Sequence, residues 1–125
     1  MALIPLFDRT GRANVGHALE TAVLVELERR GMDVAYVRTP EGHEVDFVAR
    51  RPGGGEELIQ VAADATDAAT AERELRALAE AGRLYPKASR RLLTLTRDGL
   101  PAQVPTGIVA QAAYEWLLAE PGEVG

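Results

Sequence analysis

The sequence of 125 residues is 46% hydrophobic and 26% charged, which fits one globular domain with a single core, spanning residues 1–125. It contains no cysteine, so disulfides, zinc–thiolate sites and thiol nucleophiles are excluded. The net charge of −5 gives no overall attraction to phosphate backbones or anionic membranes, so any nucleic-acid contact has to be local. The first residues carry no basic stretch followed by a long apolar run, and we expect a cytoplasmic protein with no membrane partner.

The first half of the chain predicts one helix followed by three strands. Residues 1–13 form a lead-in segment whose apolar side chains we expect to pack in part. From Asn14, an N-cap residue, apolar side chains recur at helical spacing until Gly31, which suits the end of a helix. Short β-branched or aromatic segments separated by turn-rich sequence then predict a three-stranded meander, with strands at 34–38, 44–50 and 57–63.

The second half predicts a crossover helix and two further strands. A helix at about 67–84 begins at the capping residue Asp67, and "RRLLTLT" at 90–96 is a fourth strand. Residues 107–112 predict a last strand, followed by the short helix "AYEWLLAE" that places Trp116 on the core. We therefore expect an α/β fold with one mixed sheet, in which the third and fourth strands are parallel because a helix connects them.

A carboxylate interrupts the second strand, "EVDFVAR", at Asp46. Strict alternation places Val45 and Phe47 on one face of the sheet and Asp46 on the other. If this strand pairs with "ELIQVAA" across the glycine-rich turn, Gln60 points to the same side as Asp46, the side that we expect to meet the first helix. Glu20 on that helix is followed by apolar residues at i+3, i+4 and i+7, so these three oxygen-bearing side chains are expected to converge at the edge of the sheet.

Each of these polar residues also has an ordinary structural interpretation. Asp46 can be an edge-strand charge paired with Arg38, which resists aggregation, and Glu20 can be a solvated charge on a helix surface. Gln60, within an apolar segment, needs a hydrogen-bond partner if it is buried. The two histidines, His17 and His43, lie in different elements and are more typical of surface or cap residues than of a metal site.

A helix glutamate, an aspartate in "GHEVDF" and "IQV" on the next strand resemble the restriction-endonuclease-like fold of the PD-(D/E)XK superfamily. More closely, "GHALETAVLVELERRGMDVAYVRTPEGHEVDFV" through "ELIQVAAD", with the closing "AAYEWLL", resembles the domain of unknown function that follows the ATPase in many prokaryotic AAA+ proteins. The similarity spans roughly residues 11–119. It implies a mixed sheet in the order α-β-β-β-α-β with a short C-terminal strand and helix.

The resemblance implies a site for Mg²⁺ or Mn²⁺, which prefer oxygen ligands. In its terms Asp46 is the principal ligand, Glu20 is the helix carboxylate, Gln60 stands at the glutamate position and the Val61 carbonyl is a further ligand. The superfamily pattern has a lysine two residues after Gln60, which positions the attacking water, whereas this sequence has Ala62. With Gln at position 60 the site also has one anionic ligand fewer.

Three hypotheses follow. The first is a catalytically degenerate nuclease-like domain that binds DNA or a protein partner, such as an ATPase domain or chain. The second is an active, metal-dependent deoxyribonuclease, either an endonuclease or a Holliday-junction-resolvase-like hydrolase. The third is a homodimerisation domain that uses the apolar segments 1–7 and 108–118. The sequence has no G-x-x-x-x-G-K-[S/T] motif, so an ATPase activity would have to come from another segment or chain.

Overall fold

The computed structural model describes residues 11–40 and 42–119, with side chains from Val15 onward. The elements, in chain order, are α1 (Gly11–Arg29), β1 (Asp33–Arg38), β2 (Glu44–Arg50), β3 (Glu56–Val61), α2 (Ala68–Leu84), β4 (Ser89–Thr94), β5 (Ile108–Ala112) and α3 (Ala113–Leu118). A short 3-10 helix, Arg97–Gly99, connects β4 to β5. This order confirms the predicted α/β class and the sequence of elements within it.

The strands form one mixed sheet in the order β1-β2-β3-β4-β5. The pairs β1–β2 and β2–β3 are antiparallel, whereas the pairs β3–β4 and β4–β5 are parallel. Because α2 carries the chain from β3 back to the start of β4, the predicted crossover and its parallel pair are confirmed. A five-stranded mixed sheet flanked by helices is consistent with a nuclease-like fold.

The predicted helix ends are right at three of four positions. α1 begins at Gly11, so Asn14 lies inside the helix and the prediction of Asn14 as its N-cap is wrong. Residues 1–10 of the predicted lead-in lie outside the described residues. Gly31 follows α1 with a φ of 78°, a conformation that suits glycine after a helix. Asp67 caps α2 as predicted, because its side chain accepts a hydrogen bond from the Thr70 amide at 3.0 Å.

Helices cover both faces of the sheet. α1 and α3 pack on one face through the buried side chains of Leu19, Val23, Leu27 and Trp116. α2 packs on the other face through Ala77, Leu78 and Ala81. Trp116 therefore lies on the core as predicted. Within the part of the chain that the structure describes, no helix combines the length and the apolarity needed to cross a membrane.

A β-bulge in β2 overturns the predicted alternation of its side chains. Ala35 pairs with Val48 and Val37 pairs with Val45, so β2 carries one more residue than β1 over this interval. As a result Val45 and Val48 belong to the same cluster on the α2 face, while Phe47 belongs to the cluster on the α1 face. The prediction that Val45 and Phe47 share a face is therefore wrong, and the bulge sets the position of Asp46.

Candidate functional site

The candidate site lies where β3 and β4 end and β2 begins, at the carboxyl ends of parallel strands, where open α/β sheets commonly bind ligands. A pocket of about 340 Å³ opens there between α1 and α2. Its wall includes all three residues that the sequence predicted to converge, Glu20, Asp46 and Gln60. Two adjoining pockets, of about 370 and 580 Å³, share Glu20 as part of their walls.

Asp46 bridges the two strands where their backbone pairing stops. The ladder between β2 and β3 ends at the pair Phe47–Ile59. Beyond this pair, the N–H of Val61, two residues after Ile59, donates a hydrogen bond to Asp46 Oδ2 at 2.8 Å. Burial raises the pKa of Asp46 to about 7, with a further contribution from the nearby carboxylates of Glu20, Glu74 and Glu44, although the Val61 hydrogen bond opposes the shift.

Gln60 is buried, with 3% of its surface exposed, and its side-chain amide connects three groups. Its Oε1 accepts a hydrogen bond from the Asp46 N–H at 2.8 Å. Its Nε2 donates to the Glu44 carbonyl and to Glu74 Oε1, both at 3.1 Å. The amide thus replaces the missing backbone pairing between β2 and β3, and both its oxygen and its nitrogen are hydrogen-bonded within the protein.

Gln60 approaches the pocket from the face opposite to the one predicted. Its partner Glu74 lies on α2, and its neighbour Leu58, two residues earlier on the same side of β3, packs against α2. Glu20 lies on α1, across the sheet. The pocket therefore combines side chains from both layers of helices at the open end of the sheet, and the expectation that the Gln60 side meets the first helix is wrong.

Glu74 belongs to the site, although the sequence reasoning did not identify it. Burial raises its pKa, while the neighbouring Arg73 and the hydrogen bond from Gln60 lower it. Glu74 precedes the buried residues Ala77 and Leu78 by three and four positions. This spacing places Glu74 on the same face of α2 as these buried residues, one turn nearer the start of the helix, so the helical periodicity could have predicted its position.

Arg73 is the one cationic side chain among the described residues that line the 340 Å³ pocket. Its Nε lies 3.8 Å from Glu74 Oε1, and 68% of its side chain is exposed. Ala62, two positions after Gln60, supplies no charge. The walls of the pocket thus carry four carboxylates, those of Glu20, Glu44, Asp46 and Glu74, against this single guanidinium.

The ordinary interpretation of Asp46, as an ion-pair partner of Arg38, is wrong. Arg38 Nη2 pairs with Glu44 Oε1 at 2.8 Å at the exposed edge of the sheet. His17 is exposed on α1, whereas His43 lines the pocket with its Nδ1 buried and without a hydrogen-bond partner among the described residues.

A divalent ion does not fit the side chains as they are arranged. Within residues 11–40 and 42–119, no three carboxylate or histidine side chains converge as a metal site would require. One oxygen of Asp46 accepts the Val61 N–H, and the Gln60 oxygen accepts the Asp46 N–H. The oxygens that the resemblance assigns to a metal are therefore partly used within the protein.

The fold and the pocket together define a mixed-sheet α/β domain with a carboxylate-rich cleft at the carboxyl ends of its parallel strands. Residues 15–110 match the family described as Domain of unknown function (DUF4143), and the chain belongs to that family. This match confirms the predicted membership of a family of unknown function. Comparison with curated proteins and with solved structures finds no match.

Proposed function

We propose that this chain is a catalytically degenerate nuclease-like domain of the PD-(D/E)XK type that serves as a binding module, related to the C-terminal domain of AAA+ ATPases. In this proposal the cleft beside Asp46 is retained for recognition and Mg²⁺ or Mn²⁺ binds weakly or not at all. The partner is a protein, an ATPase domain or chain.

The state of Gln60 is the observation that carries the proposal. In the superfamily pattern that the sequence resembles, metal-dependent hydrolysis of a phosphodiester uses an anionic ligand at this position and a lysine two residues later. Here Gln60 is neutral and both ends of its amide are hydrogen-bonded within the protein, while Ala62 offers no charge. The two positions that the chemistry depends on most are thus unsuited to it.

The charge of the cleft favours a protein partner over DNA. Glu44 is paired with Arg38, and burial raises the pKa of Asp46 and of Glu74, so the pocket carries less negative charge than its four carboxylates would give in water. Against these acids the described lining residues offer a phosphate backbone only the Arg73 guanidinium, so the pocket does not attract DNA. A basic segment of a partner protein would experience the opposite field. DNA binding at this cleft is therefore less favoured than protein binding. A comparison of the affinities for DNA and for a basic protein segment tests this preference.

The test is a hydrolysis assay on plasmid and branched DNA in Mg²⁺ and in Mn²⁺, with the Asp46→Ala variant as control. We expect no cleavage above background by either protein. Cleavage that depends on the metal and is lost in Asp46→Ala would refute the proposal. The same proteins in a DNA-binding titration at low salt should show no difference between wild type and Asp46→Ala.

An active nuclease is the second candidate, and one observation favours it. Glu20, Asp46 and Glu74 line a common pocket, and the pKa values of Asp46 and Glu74 are both raised, mainly by burial and to a smaller extent by the nearby carboxylate of Glu20. If a divalent ion rearranged these groups, they would supply several oxygen ligands. The hydrolysis assay decides between the two candidates.

A further inference from the structure

The open end of the β2–β3 pair poses a structural problem that is separate from catalysis. Beyond Phe47 and Ile59 the two strands no longer pair, yet the Asp46 N–H, the Glu44 carbonyl and the Val61 N–H still need partners. Two side chains provide them, Asp46 for the Val61 amide and Gln60 for the other two groups.

We propose that the Gln60 amide is a positioning strap that holds this end of the sheet together without a metal ion. A carboxamide offers both an acceptor and a donor, so it can receive the Asp46 N–H and at the same time donate to the Glu44 carbonyl and to Glu74. A carboxylate at position 60 would be an acceptor only.

The strap also reduces the electrostatic repulsion around the carboxylates of the pocket. Through its Nε2 the amide donates to Glu74, which lies in the same pocket as Asp46. With glutamate at position 60 that hydrogen bond would become a contact between two carboxylates, and the Glu44 carbonyl would lose its donor. A divalent cation is the group that would then relieve the repulsion, so Gln60 makes the cation unnecessary.

The inference concerns stability and is tested without any assay of activity. Thermal unfolding is measured in EDTA and in Mn²⁺ for wild type, Gln60→Glu and Gln60→Met. We expect the Tm of wild type to be the same in both buffers. Both variants should lose roughly 5–10 °C in EDTA, because a buried hydrogen-bond network is broken. Mn²⁺ should restore Gln60→Glu only, with a Tm that rises with metal concentration.

A charge-matched variant covers the case in which Gln60→Glu does not fold. The exchange of Gln60→Glu together with Glu74→Gln keeps the net charge and keeps an amide-to-carboxylate hydrogen bond between positions 60 and 74. It still adds a carboxylate at position 60 to the pocket that Asp46 lines, and it leaves the Glu44 carbonyl without its donor. We expect this double variant to be stabilised by Mn²⁺ where wild type is not.

Three results would overturn the inference: a wild-type Tm that rises with Mn²⁺, a Gln60→Glu variant as stable as wild type in EDTA, or a double variant that does not respond to Mn²⁺. The inference is independent of the partner that binds in the cleft. If wild type is stabilised by Mn²⁺ but cleaves no DNA, the strap fails and the binding-module proposal stands. If the Tm of wild type does not change with Mn²⁺ and no protein partner binds, the strap stands and the binding-module proposal fails.

Discussion

Asp46 and Val61 face each other across the open end of β2 and β3, and the Val61 N–H donates to Asp46 Oδ2 at 2.8 Å. The carboxylate is thereby held at the base of the cleft while burial and the neighbouring acids raise its pKa to about 7. One side chain is therefore both a structural connection between two strands and a group that titrates near neutral pH.

The first prediction concerns the pH dependence of stability. The pKa of Asp46 rises from its ordinary value of 3.8 to about 7 on folding, so between these values the folded state binds a proton that the unfolded state does not. The contribution of Asp46 to the free energy of unfolding should therefore be highest below about pH 4 and should fall as the pH rises to about 7. The loss is at most about 4 kcal/mol, and less to the extent that water screens the carboxylate.

Asp46→Asn tests this prediction because it keeps an oxygen that can accept the Val61 N–H. Urea unfolding between pH 4 and pH 8 should show a smaller fall for the variant, and above pH 7 the variant should be more stable than wild type. Burial also raises the pKa of Glu74, so the stability of the variant should still fall with rising pH, but less steeply than that of wild type. Glu72→Gln, at an exposed carboxylate on α2, should leave the profile unchanged. Parallel profiles for wild type and Asp46→Asn would contradict the assignment.

The second prediction compares two leucines of α2. Leu78 is fully buried against the sheet, whereas Leu84 is 49% exposed at the end of the helix. Leu78→Ala should lower the free energy of unfolding by about 2–5 kcal/mol, because the cavity it leaves cannot collapse completely. Leu84→Ala should cost less than about 1 kcal/mol. Equal losses in chemical denaturation would show that α2 does not pack on the sheet as described.

The third prediction concerns the start of α2. The Asp67 side chain accepts the Thr70 N–H, so Asp67→Ala leaves a helix donor without its partner. We expect a loss of about 1 kcal/mol in the free energy of unfolding, with Asp67→Asn retaining most of the wild-type value. Glu28→Ala, an exposed position on α1, serves as the control. A loss in Glu28→Ala as large as that in Asp67→Ala would remove the capping explanation.

The fourth prediction concerns the attachment of α3. Trp116 is 4% exposed, the Arg30 guanidinium lies 4.5 Å from the centre of its ring, and Arg30 also donates to the Trp116 carbonyl at 2.9 Å. Trp116→Ala should cost about 3–5 kcal/mol. Leu118→Ala, at a side chain that is 81% exposed, should be within about 0.5 kcal/mol of wild type. Chemical denaturation measures both, and a small effect of Trp116→Ala would show that α3 is not part of the core.

The elements that local chemistry determines could be predicted from the sequence. β2 was predicted with its observed bounds because turn-rich segments flank a β-branched stretch, and Asp67 was recognised as a cap from its place before an amphipathic helix. The parallel pairing of β3 and β4 follows from the helix between them. Each of these features depends on neighbours that are close in the sequence.

The features that depend on distant pairing could not be predicted. The bulge in β2 exists because of its register against β1, and it moves Val45 to the opposite face from the one that alternation predicts. The Gln60 amide was recognised as needing a partner, but its three partners lie on another strand and on α2. Residue spacing in one segment carries no information about these contacts, so Glu74 was missed.

The most direct measurement is a crystal structure of the wild-type chain grown with Mn²⁺, with anomalous scattering recorded at a wavelength where manganese contributes. We expect no anomalous peak beside Asp46 and an intact Gln60 amide that still bridges Asp46, Glu44 and Glu74. A manganese ion bound to the Asp46 carboxylate, with the Gln60 side chain turned away from the β2 backbone, would contradict it.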